Sequence, residues 1–204
     1  RFDPLHALEL IERHAVQWVN FVPTMMHRIW RLPQEQRAML DLSSLRVVFH
    51  MASACPPWLK ERWIEWLGPD RIWELYGGTE RQGSTVISGT EWLTHRGSVG
   101  RVQPGSKMEV RNEAAEECAP GEVGEVFFLP DLGAGATYHY VGADPKRQGE
   151  WESIGDLGYL DTEGYLYLVD RRTDLIVSGG ANVYPAEVEA ALDAHPQVST
   201  SAVI

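Results

Sequence analysis

Residues 73–80 combine the side-chain types that a nucleotide site needs. An apolar, strand-like approach ends in the ring of Tyr76, which offers a flat face for a base. Two glycines follow, and they let the backbone come close to a ligand and donate N–H groups to an anion. Thr79 supplies a hydroxyl for a phosphate oxygen, and Glu80 supplies a carboxylate for Mg²⁺, which prefers oxygen ligands. A strand that ends in a Gly-Gly turn, with Glu80 on the surface, explains the same residues equally well.

Small residues follow the predicted strand before this one. Met51, Ala52 and Ser53 lie between a strand end and a helix start. In an open parallel sheet, ligands bind outside the carboxyl ends of the strands, so this loop and Tyr76 should lie at one edge. Small side chains there would let a flat base lie against the backbone. A tight strand–helix connection is the alternative interpretation.

Polar groups among glycines occur at two later positions. Asp156 stands between two glycines at the start of a predicted hairpin, where it is either a turn residue or an acceptor for two sugar hydroxyls. Arg171 belongs to a charged segment, 170–174, that precedes Gly179 and Gly180. That segment is either a solvated linker or a hinge, with Arg171 reaching a phosphate or ribose and the glycine loop free to move.

The composition restricts the class of partner. The net charge of −11 argues against a broad surface for nucleic acid or anionic membrane. Cys55 and Cys118 lie far apart and have no metal-ligand spacing, which suits a reducing cytosol. Cys55 has no base near it in sequence, so a nucleophilic role is not favoured. We therefore expect a cytoplasmic protein with no membrane span.

Hydrophobic periodicity predicts alternating helices and strands over residues 1–80, which is typical of a mostly parallel α/β sheet with flanking helices. Asp3 and Pro4 mark the first helix start. The predicted helices cover 4–14, 24–32, 34–40 and about 56–67, and the predicted strands cover 16–22, 45–49 and 71–75.

Short strands and turns replace helices after about residue 96, which predicts an antiparallel β subdomain. The predicted strands cover 107–111, 122–129, 137–140, 157–160 and 165–169. A helix over 185–194 and a strand from Val198 then resemble the start of a small α+β C-terminal domain. We expect three parts: residues 1–95 from a large α/β domain, 96–170 as the β subdomain, and 171–204 as a hinge and an incomplete small domain.

The order of these motifs resembles the adenylate-forming enzyme superfamily, which comprises acyl-CoA synthetases, adenylation domains of non-ribosomal peptide synthetases, and firefly luciferase. The resemblance covers nearly the whole chain, and its most specific parts are Tyr76–Glu80, Gly155–Tyr159 and Asp170–Glu189. Within the last part, the Gly-Gly-Ala-Asn-Val-Tyr-Pro-Ala-Glu run is similar to the acyl-CoA ligase branch, and in particular to bacterial fatty-acyl-CoA synthetases.

The resemblance implies a reaction in two halves. A carboxylic acid, fatty or otherwise hydrophobic, attacks ATP in the presence of Mg²⁺ to give acyl-AMP, and the thiol of CoA then takes the acyl group and releases AMP. Two alternatives stay open: an adenylation domain that loads a carrier protein, and a non-catalytic nucleotide-binding fragment. A homodimer is compatible with either.

The resemblance also assigns roles to residues. It implies that Tyr76 stacks on adenine, with Met51, Ala52 and Ser53 along the other side of the base. The remaining nucleotide contacts that it implies are Gly77, Gly78 and Thr79 at the α-phosphate, Glu80 as Mg²⁺ ligand, Asp156 at both ribose hydroxyls, and Arg171 at the ribose or phosphate. Thr79 and Glu80 are thereby the candidate catalytic residues. Thr173 matches the hinge position, and Gly179 and Gly180 match the loop that lines the CoA path.

Departures from the family pattern matter as much as the matches. Met51 and Ala52 stand where glycines are usual, and Thr173 stands where Asp or Lys is usual. The chain shows no phosphate loop ending in Lys and no C-terminal Gly-Lys motif; its lysines are Lys60, Lys107 and Lys146. We therefore expect these residues to belong to a considerably longer ligase, and we expect this part alone not to form acyl-AMP at a useful rate.

Overall fold

A computed structural model of the chain describes residues 2–171, 176–178, 181–193, 195, 197–198 and 201–204. Thr173, Gly179 and Gly180 lie outside the described residues. The chain forms two units, one comprising Arg1–Tyr76 with Ile87–Arg96 and the other comprising Gly77–Val86 with Gly97–Ile204. The predicted boundaries after residues 95 and 170 stay a prediction.

Helices and parallel strands alternate in unit 1, as the sequence predicted. Its helices are α1 (Pro4–Arg13), α2 (Pro23–Trp30), α3 (Gln34–Ala38), α4 (Pro57–Leu67) and α5 (Gly89–Trp92). Its strands are β1 (Trp18–Phe21), β2 (Val47–His50) and β3 (Ile72–Gly77, of which Gly77 belongs to unit 2).

The termini and faces of the helices explain why unit 1 folds this way. Asp3 caps α1 by accepting a hydrogen bond from the N–H of His6 at 3.0 Å, and Pro4 occupies the first turn. The apolar stripes of α1, α2 and α4 are buried, with Leu8, Met26 and Trp63 at most 1% exposed. These stripes provide the apolar core of this unit.

Strands β1, β2 and β3 lie side by side and run parallel. Val48 is opposite Ile72, and His50 is opposite Glu74. Since parallel strands have their carboxyl ends at the same edge, the residues after His50 and the end of β3 lie at one edge of this sheet. This is the edge at which the sequence placed the two loops.

Antiparallel strands dominate unit 2. They are β4 (Ser84–Ser88, whose last two residues belong to unit 1), β5 (Ser98–Val102), β6 (Ser106–Arg111), β7 (Gly124–Pro130), β8 (Lys146–Gln148), β9 (Trp151–Ser153), β10 (Asp156–Leu160) and β11 (Leu166–Arg171). Their order is β4-β5-β11-β10-β7-β9-β8, with β6 paired to β7. The hairpin β12 (Ile176–Ser178) and β13 (Ala181–Val183) and the helix α6 (Pro185–Asp193) follow. The predicted α/β class, with its antiparallel subdomain, is confirmed.

Two predicted strands are wrong. Residues 137–140 alternate polar and aromatic side chains, but they form a loop. The rings of Tyr138 and Tyr140 pack on each other, and the Tyr138 hydroxyl accepts a hydrogen bond from Gln82. Residues 198 and 201–204 are not a strand either. The backbone N–H of Val203 donates to the carboxylate of Glu189 on α6. This N–H is therefore bonded to a helix side chain and not to the backbone of a neighbouring strand.

The described helices include none that is both long enough and apolar enough to cross a membrane.

Candidate nucleotide site

The sheet edge of unit 1 carries the proposed base-binding residues. Met51 and Tyr76 are half-buried, whereas Ala52 and Ser53 are exposed. Ala52 has a φ of 79°, in the left-handed region that glycine adopts without strain. The structure therefore brings the small-residue loop and Tyr76 to one edge, and the loop takes up a glycine-like conformation without a glycine.

A buried polar cluster lies directly behind this edge. The ammonium of Lys60 on α4 donates to Glu74 Oε2 on β3 at 2.5 Å, and Nδ1 of His50 on β2 is 3.9 Å from Glu74 Oε1. Both nitrogens of the His50 ring are buried and have no hydrogen-bond partner among the residues that the structure describes. The sequence did not suggest this cluster, because a lysine in a helix is normally exposed.

Burial governs the protonation of this cluster. Burial, with the Lys60 charge, lowers the pKa of His50 to about 3, so the imidazole is neutral at physiological pH. Burial raises the pKa of Glu74, and the ammonium of Lys60 acts against that rise. Burial and the carboxylate of Glu74 also raise the pKa of the Cys55 thiol, which agrees with an inert cysteine.

Glu80 is held in a defined place within unit 2. The hydroxyl of Tyr140 donates to Glu80 Oε1 at 2.8 Å, and the hydroxyl of Thr79 donates to Oε2 at 3.3 Å. A Cβ atom added at Gly78 would lie 2.5 Å from Glu80 Oε2, so the carboxylate uses the space that a side chain would fill. Glycine at position 78 is thus explained by the placement of Glu80.

The Glu80 carboxyl stays ionised in this setting. Desolvation raises its pKa, but the bonds from its own backbone, from Tyr140 and from Thr79, with the charge of Arg171, lower the pKa overall. In turn, desolvation and the bond to Glu80 raise the pKa of Tyr140 to about 12, so its hydroxyl keeps its proton.

The donor set at this turn fits Mg²⁺. The Glu80 carboxylate and the neighbouring Thr79 hydroxyl are hard oxygen donors. The described residues include no group of three or more His, Cys, Asp or Glu side chains that could hold a metal on their own.

Asp156 and Arg171 meet across the β10–β11 pair, where they are opposite each other. Arg171 Nε is 3.3 Å from Asp156 Oδ1; the Arg171 side chain is 68% exposed, and Asp156 is buried. A buried carboxylate can accept two hydroxyl hydrogen bonds, and an exposed guanidinium can reach an anion. The pair was not predicted as a contact, because the sequence does not give the strand register.

A pocket of about 530 Å³ lies beside these residues in unit 2. Its lining is Tyr140, Asp144, Lys146, Ser153, Ile154, Gly155 and Arg171. Ile154 also lies next to Gly78, since a Cβ there would be 3.4 Å from two of its carbon atoms. The pocket is therefore bordered by the glycine turn, by the start of β10 and by the end of β11.

Residues 131–145, which we call the tyrosine loop, contribute Tyr140 to the site. Glu152, which is fully buried on β9, holds the loop at Gly135 within it and at Arg147 just after it. Glu152 Oε1 accepts from the N–H of Gly135 at 2.8 Å and from Nε of Arg147 at 2.9 Å. Tyr140 was not predicted as a site residue, because residues 137–140 were interpreted as a strand; the Tyr-His-Tyr triplet beside glycines was the available signal. Lys146 was not predicted as a site residue either.

Comparison with known proteins identifies the family of this chain. Residues 1–129, well over half of the chain, match the model of the family described as AMP-binding enzyme. The chain belongs to this family. The resemblance to adenylate-forming enzymes that the sequence suggested is confirmed.

Relatives of this AMP-binding enzyme include acid–CoA ligases. It is 35% identical to the 2-succinylbenzoate–CoA ligase of Geobacillus kaustophilus over 99% of the chain and 40% of that protein. It is 32% identical to the medium/long-chain-fatty-acid–CoA ligase FadD8 of Mycobacterium tuberculosis over 100% of the chain and 36% of that protein. The chain thus spans about 40% of the length of the first of these relatives.

Solved structures show the same fold. The amide bond synthetase McbA from Marinactinospora thermotolerans matches with a TM-score of 0.84 at 29% identity, over 100% of this chain and 42% of that one. The O-succinylbenzoate coenzyme A synthetase of Bacillus subtilis, in complex with ATP and magnesium ion, matches with a TM-score of 0.78 at 31% identity, over 98% of this chain and 41% of that one.

Proposed function

We propose that this AMP-binding enzyme is part of an ATP- and Mg²⁺-dependent ligase that activates a carboxylic acid as acyl-AMP and transfers the acyl group to CoA. The observation that carries the proposal is the set formed in unit 2 by Glu80, the Asp156–Arg171 pair and the adjoining pocket. This set combines a carboxylate for a metal, an acceptor for hydroxyls and a cation for phosphate.

The base would bind at the sheet edge of unit 1. In this proposal Tyr76 stacks on adenine, and Met51, Ala52 and Ser53 lie along its other side. Support comes from the partial exposure of Tyr76 and from the exposure of Ala52 and Ser53. Base–aromatic stacking contributes about 1–3 kcal/mol per base.

The ribose and phosphates would bind to residues of unit 2. Asp156 accepts hydrogen bonds from the two ribose hydroxyls, and Arg171 binds the ribose or a phosphate. The N–H groups of Gly77 and Gly78 and the hydroxyl of Thr79 donate to the α-phosphate. Glu80 holds Mg²⁺, which when bound neutralises charge that builds up on the phosphoryl oxygens.

This proposal needs no nucleophile from the protein. The substrate carboxylate attacks the α-phosphorus, the bond to the β-phosphate breaks, and pyrophosphate leaves. The thiolate of CoA then attacks the acyl carbonyl, and AMP leaves. Positioning and fixed hydrogen-bond donors are what this chemistry requires of Thr79 and of the glycines.

The acceptor and the acid are the finer parts of the proposal. The Asn182–Glu189 run favours CoA over a carrier protein, with Gly179 and Gly180 along the CoA path and Thr173 at the hinge. We propose a hydrophobic acid, aromatic or fatty, because ligases for 2-succinylbenzoate and for medium and long fatty acids are both similar to this chain.

The test is acid-dependent release of pyrophosphate by the full-length protein. ATP, Mg²⁺ and a panel of aromatic and fatty acids are supplied first without an acceptor, and then with CoA, with an amine or with a phosphopantetheinylated carrier protein. We expect release with hydrophobic acids and a thioester product with CoA. No acid-dependent release rejects the ligase, and an amide or a carrier-bound product rejects CoA as the acceptor.

A further inference from the structure

A tyrosine that the proposed reaction has not so far used lies in contact with the proposed metal carboxylate. The hydroxyl of Tyr140 donates to Glu80 Oε1 at 2.8 Å, a distance typical of a strong O–H···O bond to a charged acceptor. This bond joins residues 60 positions apart in the chain. It therefore depends on the tyrosine loop being held beside the Gly78–Glu80 turn.

The tyrosine loop holds this ring by several contacts. The rings of Tyr138 and Tyr140 pack edge to face, with centroids 5.0 Å apart. Gln82, two residues after Glu80, donates through Nε2 to the hydroxyl of Tyr138 at 3.4 Å. The packing of the two rings and the two bonds to Glu152 position the Tyr140 hydroxyl relative to Glu80.

The carboxylate is confined on its other side as well. Oε2 accepts from Thr79, and it lies where the missing side chain of Gly78 would be. With Oε1 bonded to Tyr140, Glu80 presents Oε2 in one orientation at the turn. Hydrogen bonds from a second residue orient metal ligands in this way, and their loss typically lowers metal affinity 10- to 100-fold.

We propose that Tyr140 is a positioning residue for the Mg²⁺-binding carboxylate of Glu80. The proposal rests on the proposed function, because it needs the metal and ATP to bind at this turn. It predicts that removal of one hydroxyl, with the ring left in place, weakens the contribution of Mg²⁺ to nucleotide binding while leaving the nucleoside contacts intact.

The experiment compares Tyr140→Phe with wild type in the full-length protein. Mg²⁺ is titrated at a fixed concentration of α,β-methylene-ATP, which cannot be cleaved at the reacting bond, and binding is followed by calorimetry. AMP binding without metal is measured in parallel. Tyr138→Phe is the matched control, since it removes a hydroxyl from the same loop without touching Glu80.

We expect Tyr140→Phe to raise the half-saturating Mg²⁺ concentration about 10- to 100-fold, with AMP affinity and thermal midpoint unchanged. Tyr138→Phe should leave the Mg²⁺ dependence at its wild-type value. Gly78→Ala, which displaces the carboxylate from the other side, should shift the Mg²⁺ dependence in the same direction as Tyr140→Phe.

An unchanged Mg²⁺ dependence in Tyr140→Phe overturns the proposal. A lower Mg²⁺ requirement also overturns it, because the hydroxyl would then compete with the metal. An equal loss of AMP and ATP affinity indicates a structural role in the pocket and overturns it too. If wild type binds no ATP at any Mg²⁺ concentration, the proposed function itself has failed, which is a different result from all of these.

Discussion

Breaking the buried ion pair between Lys60 and Glu74 should destabilise unit 1 more than most single substitutions. Lys60 is 1% exposed and Glu74 is 7% exposed, and their charged atoms are 2.5 Å apart. Lys60→Met leaves the carboxylate buried without its cation, which typically costs about 3–5 kcal/mol. The variant also loses the contact of the ammonium with the ring of Trp92, at 5.1 Å from its centroid.

The penalty should depend on pH in a defined direction. Without Lys60, burial raises the pKa of Glu74 further above its value in the unfolded chain. A carboxyl group with a raised pKa in the folded state keeps its stability at low pH and loses it as the pH rises through that pKa. The penalty of Lys60→Met should therefore shrink as the pH falls, by at most about 1.4 kcal/mol per pH unit.

Urea unfolding measures the effect, with two matched variants. Lys60→Met combined with Glu74→Met should recover most of the loss, because an apolar pair of similar volume often replaces a buried ion pair at little cost. Lys107→Met, on the exposed side of β6, should change the free energy of unfolding by less than about 0.5 kcal/mol. A cost below about 1 kcal/mol for Lys60→Met, or no recovery in the double variant, would refute the reasoning.

Three further predictions follow from the same site. The pKa of His50 is 6.5 in the unfolded chain and about 3 in the folded protein. As the pH falls, His50 is therefore protonated in the unfolded chain before it is protonated in the folded protein, which favours unfolding. This residue should remove about 2 kcal/mol from the free energy of unfolding between pH 7 and pH 5. His50→Gln keeps every other titrating group, so its free energy of unfolding should not show this loss between pH 7 and pH 5. If the free energies of unfolding of His50→Gln and wild type change in parallel with pH, His50 is not the cause. Ala52→Gly should raise the free energy of unfolding by about 0.5–1 kcal/mol, because removing the strain of alanine in a left-handed conformation outweighs the extra backbone entropy that glycine loses on folding. A lower thermal midpoint for this variant would contradict the prediction. Tyr76→Ala should weaken AMP binding by about 1–3 kcal/mol, with Tyr76→Phe as the control that keeps the ring; equal AMP affinity in both variants and wild type would count against stacking.

Local pattern was enough to predict four helices, α1 to α4, and the three parallel strands of unit 1, but not α5. The cap at Asp3, the apolar stripes of α1 and α4, and the β-branched runs each act within a few residues of their own position. The same kind of pattern failed at residues 137–140. Alternation there has another cause, because the two tyrosine rings pack on each other and Tyr138 bonds to Gln82.

Such local patterns could not predict contacts between residues that are distant in the sequence. The pairing of Asp156 with Arg171 depends on the β10–β11 register, which includes an irregularity between Leu157 and Gly158. The bond from Tyr140 to Glu80 depends on a loop position that no local propensity fixes. The assignment of nucleotide-binding roles stays a prediction, and the experiments above address it.

The two hydrogen bonds at Glu152 Oε1 close residues 135–147, which include most of the tyrosine loop, into a ring, because the N–H of Gly135 and Nε of Arg147 donate to the same buried atom. The entropic cost of closing such a ring grows only slowly with its length, so insertions into a surface loop of this kind cost little stability. The segment between those two residues could therefore be replaced as a cassette while β7 and β9 keep their places. Variation among relatives within this cassette would reshape the pocket wall without altering the scaffold that supports it.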